Sequence, residues 1–229
     1  MKIIKLSQTE DREAWLEQRR GLITGAKAKV VKPLSRGADR TPAGFWELLA
    51  ENLAIAKDGE SERDRGLRLQ EDGLKATAKD FKLKLDLDPG FWVSDVDPNI
   101  ALSPDAGEVG DKPTYAGENK SLDSKNHLKM IVNDHRAKKL PNYNPFNSLR
   151  VDSQLDFQDQ ALQYFVVNEN LQTLYFGLYD DRMALEHLVH YVIVIEREHV
   201  QDLLQPRLEE QRDILKEVKA LIKELKNAK

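Results

Sequence analysis

The chain has 229 residues, 40% of them hydrophobic and 32% charged, with a net charge of −4, enough apolar material for one sizeable core in a soluble molecule. It has no cysteine, which excludes disulfides, thiolate nucleophiles, iron–sulfur clusters and cysteine-ligated zinc; any metal must rest on oxygen or imidazole, a donor set that favours hard cations such as Mg2+. The acidic balance argues against a protein that coats nucleic acid, and the absence of a spanning apolar run or a signal peptide at Met1–Glu10 points to the cytoplasm and away from membranes.

In chain order, Asp11–Arg20 carries Trp15 and Leu16 among charges and predicts a short helix that breaks at Gly21. Thr24 is placed to cap a second helix over Ala26–Val31, whose first-turn N–H groups suit an anion. From Arg19 to Arg40 the basic residues Arg19, Arg20, Lys27, Lys29, Lys32, Arg36 and Arg40 meet the single acid Asp39, a stretch that suits a phosphate backbone or a solvated surface. Pro33–Pro42 reads as a loop in which Arg36 and Arg40 either reach into DNA or are simply mobile.

Phe45–Ala56 and Glu62–Lys79 predict two helices, Pro89-Gly90 a turn, and Phe91–Val96 a strand. Ile100–Lys120 suggests a β-hairpin with a Gly-rich loop. His127–Lys138 reads as a loop or short helix, and Pro141 and Pro145 argue against regular structure up to Asn147. Val151–Val167 has helical spacing throughout and predicts a long helix. Leu174–Tyr179 and His190–Ile195 read as adjacent strands, the second so continuously apolar that a central place in the sheet is expected. Glu198–Lys229 is a charged helix with a leucine stripe, expected to pack on the body or on a neighbouring subunit. The pattern fits one domain over 1–229 of α/β class, with no repeat, P-loop or dinucleotide fingerprint.

The chemistry concentrates in Ser103-Pro104-Asp105 and Glu118-Asn119-Lys120. On a strand Glu118 and Lys120 point to one face while Asn119 points to the other and offers its backbone carbonyl, and Asp105 on the partner arm can face Glu118. Two close acids repel unless a divalent cation lies between them. Such a cation polarises a phosphodiester and acidifies water, while Lys120 holds or helps deprotonate the attacking water and offsets the charge that develops. The five histidines show no zinc spacing, and Trp15, Trp46 and Trp92 read as packing anchors rather than base-stacking platforms.

These motifs stand in an order that resembles the lambda exonuclease or YqaJ-like recombination nucleases of phages, within the PD-(D/E)XK superfamily. Trp15-x-x-x-Arg19-x-Gly21-x-Ile23-Thr24 is similar to the family's opening signature, Ser103-Pro104-Asp105 to its Ser-Pro-Asp-Gly with Ala106 in place of glycine, and Glu118-Asn119-Lys120 to its Glu-x-Lys. Gln160 stands where an active-site glutamine is expected; Tyr175–Arg182 and His190–Arg197 resemble two later strands.

The resemblance implies a restriction-endonuclease-like core, a mixed central sheet flanked by helices. It implies Asp105, Glu118, Lys120 and Gln160 as catalytic, with Mg2+, or Mn2+ in its place, held by Asp105, Glu118 and Asn119. Arg19, Thr24 and Ser103 would contact DNA phosphate. The family's helix glutamate falls on Gln70, with Glu71 beside it, and Lys125 is the nearest cation to a missing 5′-phosphate arginine at Asn126. The implied activity is processive 5′ to 3′ digestion of duplex DNA ends by a ring-shaped homotrimer, leaving 3′ single strands for a phage annealing protein. Another kind of PD-(D/E)XK endonuclease, and a DNA-binding module with a decayed site, are the competing expectations.

Overall fold

A computed structural model describes residues 62–227, together with Ala14, Trp46, Leu49, Ala50, Asn52, Leu53 and Ala54. Expectations for Arg19, Thr24, Arg36, Arg40 and the basic stretch around them lie outside these residues, as does most of the predicted 45–56 helix. Helix α1 (Glu62–Phe81) precedes the short strands β1 (Leu85–Asp86), β2 (Trp92–Val93), β3 (Ala101–Leu102) and β4 (Ala106–Glu108), and then β5 (Tyr115–Lys120). Helix α2 (Ser124–Ala137), a 3₁₀ turn (Pro145–Leu149) and α3 (Gln158–Val167) lead to β6 (Thr173–Tyr179), the short α4 (Glu186–Val189), β7 (His190–Glu196) and α5 (Gln201–Asn227). The fold is α/β: among the described residues, a five-stranded mixed sheet in the order β1-β4-β5-β6-β7, parallel only between β5 and β6, with β2 and β3 as a separate pair.

The core lies on the sheet face that carries Ala116, Leu174, Phe176, Leu178, Ile193 and Ile195, covered by Met130 and Ile131 of α2 and Ala161, Leu162 and Phe165 of α3. The opposite face receives α1, whose Leu69 and Leu74 are buried. Close approach there depends on glycine: a Cβ on Gly177 of β6 would lie 3.2 Å from Thr77 Oγ1. No helix among the described residues is long and apolar enough to cross a membrane.

The structure revises several local expectations. The hairpin exists as β4 and β5, but Ser103-Pro104 separates β3 from it, and the 91–96 strand shrinks to Trp92–Val93. His127–Lys138 belongs to a full helix, started by Asp123, whose carboxylate takes the Asn126 N–H at 3.0 Å. Pro145 opens the 3₁₀ turn, because the first position of a helical turn needs no N–H.

The long helix expected over 151–167 begins only at Gln158. Asp152 Oδ1 accepts the N–H groups of Gln154 and Leu155 at 2.8 and 3.0 Å, and Asp156 Oδ1 accepts that of Gln158, so side chains satisfy donors that a helix would have used.

Strand β7 lies at the sheet's edge rather than its centre. Its apolar run reflects two covered faces, Ile193 and Ile195 on the core and the other side beneath α1. The C-terminal helix packs on the body: Leu204 is buried, Gln211 Nε2 donates to Gln163 Oε1 of α3 at 2.7 Å, and Arg207 pairs with Asp159 at 3.2 Å.

Candidate active site

Strand β5 presents the site because its residues alternate faces. Glu118 and Lys120 point toward α3, whereas Asn119 points toward α1, where a Cβ on Gly73 would come within 2.0 Å of Asn119 Oδ1. Ala106 opposes Gly117 in the β4–β5 ladder, so Asp105, one step further, falls opposite Glu118. Asp105 Oδ2 accepts the Asn119 N–H at 2.9 Å. A strand residue's N–H and C=O face the same edge, and the Glu118 carbonyl faces β6, so the Asn119 carbonyl shares the Asp105 side.

Glu118 is 1% exposed, yet both its oxygens are engaged. Its Oε1 accepts from Lys120 Nζ at 2.5 Å and from Gln160 Nε2 at 2.8 Å, and its Oε2 accepts a short hydrogen bond from the Tyr164 hydroxyl. Tyr164 Oη in turn accepts the Asp105 N–H at 3.2 Å. The Lys120 ammonium also lies 5.6 Å above the Phe157 ring.

Burial pushes the Glu118 carboxyl up to about 7 and the nearby Asp105 charge adds to this, while Lys120 and the Tyr164 hydrogen bond oppose it. Burial, then the Glu118 charge, also drives the Tyr164 hydroxyl well above its ordinary range.

This donor set fits a hard divalent cation. Asp105 Oδ1 makes no hydrogen bond among the described residues, and a carboxyl lifted by burial and by a like charge is relieved when a cation is placed beside it. No group of three or more His, Asp or Glu side chains able to hold a metal occurs among the described residues. The pair Asp105 and Glu118 instead matches the habit of Mg2+, which takes one or two carboxylates and completes its shell with water and substrate phosphate.

No family model and no curated protein matches the chain. Among solved structures, it is similar to the crystal structure of LHK-Exo in complex with dAMP, with a TM-score of 0.54 and 21% identity over 93% of this chain and 96% of that one. The chain has that fold. A second crystal structure of LHK-Exo, an alkaline exonuclease from Laribacter hongkongensis, aligns with 92% of this chain and 99% of its own at 18% identity and a TM-score of 0.43.

On this fold the structure gathers Asp105, Glu118, Lys120 and Gln160 and leaves other expected residues apart. Gln70 and Glu71 sit on α1 along an open cleft with Leu74 and Asp86–Asp88. Neither bonds to Asp105 or Glu118; Glu71 pairs with Lys75 at 2.5 Å in the open. Ser103 is exposed just before Asp105, and Lys125 lies in the first turn of α2 without a hydrogen bond to the carboxylates.

Two features escaped the sequence reading. One is Tyr164, four residues after Gln160 and therefore on the same helix face, a spacing that marks the pair but looks like ordinary core packing for an aromatic residue. The other is the buried Asp180, which accepts from Arg65 at 2.6 Å, Arg182 at 2.9 Å and Ser124 at 2.7 Å. Arg65 also donates to the Leu122 carbonyl at 2.9 Å, so this cluster ties α1 and the start of α2 to the ends of β5 and β6. Its Asp180 and Arg182 belong to the 175–182 motif, which could have flagged it.

Proposed function

We propose that the chain is a Mg2+-dependent exodeoxyribonuclease that hydrolyses double-stranded DNA from its ends in the 5′ to 3′ direction. The observation that carries this reading is the convergence of Asp105, Glu118, Lys120 and Gln160 at the edge of β5, on a fold similar to that of an alkaline exonuclease. A divalent cation held by Asp105, Glu118 and the Asn119 carbonyl would polarise the phosphodiester and acidify an attacking water.

The chain's own groups do the rest. Lys120 sets an ammonium beside the Glu118 carboxylate, where it would offset the negative charge that grows on the phosphoryl group and hold the attacking water. Gln160 fixes one oxygen of Glu118 and orients the water with its remaining amide capacity. The proposed reaction takes water as the nucleophile, and the lack of cysteine is consistent with that.

Processive action as a ring-shaped homotrimer, 3′ single-stranded products, hand-off to a phage annealing protein and a cytoplasmic location follow from the family resemblance and form part of the proposal. Second-metal duty for Gln70 or Glu71, phosphate contacts by Arg19, Thr24, Ser103, Arg36 and Arg40, and a 5′-phosphate grip by Lys125 have the same standing. The test is digestion of a linear duplex labelled at either 5′ end, with and without a 5′ phosphate, beside a closed circle, in Mg2+, in Mn2+ and in EDTA. Loss of the 5′ label as mononucleotide, survival of the circle and inactivity of Asp105→Ala are expected. Cutting of the circle makes the chain an endonuclease, and an inert wild type makes it a binding module.

A further inference from the structure

Among the described residues, the Tyr164 hydroxyl bonds to both carboxylate-bearing arms. It donates to Glu118 Oε2 and accepts the backbone N–H of Asp105 at 3.2 Å. Because the oxygen receives the Asp105 proton donor, its own proton is committed to Glu118. The ring has no freedom to follow a different partner: it is 0% exposed and meets Trp92 edge-on at 6.3 Å and 80°.

The donors around Glu118 are unevenly shared. A carboxylate offers about four lone-pair positions, two on each oxygen. Among the described residues, Lys120 and Gln160 occupy both on Oε1, whereas Oε2 receives the Tyr164 hydroxyl alone. The position left open is therefore on Oε2, with its direction set by the hydroxyl on the other side.

We propose that Tyr164 is a positioning residue for cation binding: its hydroxyl locks the Glu118 rotamer so that Oε2 is the oxygen that meets the metal, in fixed register with the Asp105 arm. This rests on the metal-dependent reading of the site given above. Hydrogen-bond partners of metal ligands typically change affinity by about 10- to 100-fold when removed. Phenylalanine keeps the ring and its Trp92 contact and removes only the hydroxyl, so Tyr164→Phe isolates the effect.

The experiment is a Mn2+ titration of the DNA-free protein, read by the electron-spin signal of the unbound ion, for wild type, Tyr164→Phe and the packing control Trp92→Phe. Duplex binding in EDTA is measured in parallel. Expected is a loss of Mn2+ affinity of about tenfold or more in Tyr164→Phe alone, with duplex binding equal in all three. Wild-type affinity in Tyr164→Phe, or an equal loss in Trp92→Phe, overturns the proposal.

A fluorine label on the Tyr164 ring of the otherwise wild-type chain gives a reading that needs no hydroxyl deletion. Its resonance should broaden at substoichiometric Mn2+, and a sharp signal at saturation counts against the idea. A wild type that binds no Mn2+ and cuts no DNA removes the nuclease reading itself, whereas an active, Mn2+-binding wild type matched by Tyr164→Phe removes this inference alone.

Discussion

Replacing Gly73 with alanine places a methyl carbon 2.0 Å from Asn119 Oδ1, 2.5 Å from its Cγ and 2.9 Å from its Nδ2. Ordinary contact begins near 3.4 Å, so Asn119 or the helix must move by more than an ångström. Asn119 has little room to yield, being buried between α1 and the sheet with its Nδ2 on Ser121 Oγ at 3.2 Å. Overpacking of this kind costs about 1–3 kcal/mol, against which alanine inside a helix recovers about 0.5–1 kcal/mol. The net expectation is about 1–2 kcal/mol of destabilisation, or a fall in Tm of roughly 2–8 °C at this chain length.

The strain lands on the peptide between Glu118 and Lys120, so hydrolysis should suffer more than stability does, by up to about 100-fold for an ångström of misplacement. A double-mutant cycle by urea unfolding and activity assay checks the argument. In an Asn119→Ala background the obstacle is gone, and Gly73→Ala should become neutral or slightly stabilising. An equal cost in both backgrounds, or a Gly73→Ala protein as stable and active as wild type, refutes it.

Glu118 makes the metal-free protein's stability depend on pH with a definite sign. Its carboxyl is raised to about 7, so between the ordinary carboxylate range and neutrality the folded chain holds a proton that the unfolded chain has released, and stability falls as pH rises. The shift corresponds to about 3 kcal/mol; unfolding in EDTA from pH 4 to pH 8 should show wild type losing up to about this much relative to Glu118→Gln, and parallel curves would contradict it. Asp180→Ala removes the buried carboxylate that Arg65, Arg182 and Ser124 share, a change that costs about 3–5 kcal/mol and should lower Tm by about 10 °C. A thermal shift under about 2 °C would mean the cluster contributes little.

Local pattern alone carried a good part of this molecule. The runs Leu174–Tyr179 and His190–Ile195 and the helix expected over Glu62–Lys79 follow from which faces must be buried, and they reappear, slightly extended, as β6, β7 and α1. Period-two alternation was likewise enough to put Glu118 and Lys120 on one face and Asn119 on the other. Gln160 could be named only through the family resemblance, since the neighbouring glutamines of the same segment look alike in composition.

Tertiary structure decided what depends on partners distant in sequence. Asp152 and Asp156 capture N–H groups and delay α3 to Gln158, so that Gln160 and Tyr164 occupy the turns that face Glu118. Strand β7 proved to be an edge, because two covered faces leave the same apolar signature as a central position. The raised carboxyl of Glu118 and the bridging hydroxyl of Tyr164, 46 residues apart along the chain, arise from burial between β5 and α3. Residue types and spacing determined which groups are candidates for the chemistry; the desolvation and mutual orientation that tune them exist only once sheet and helix have packed.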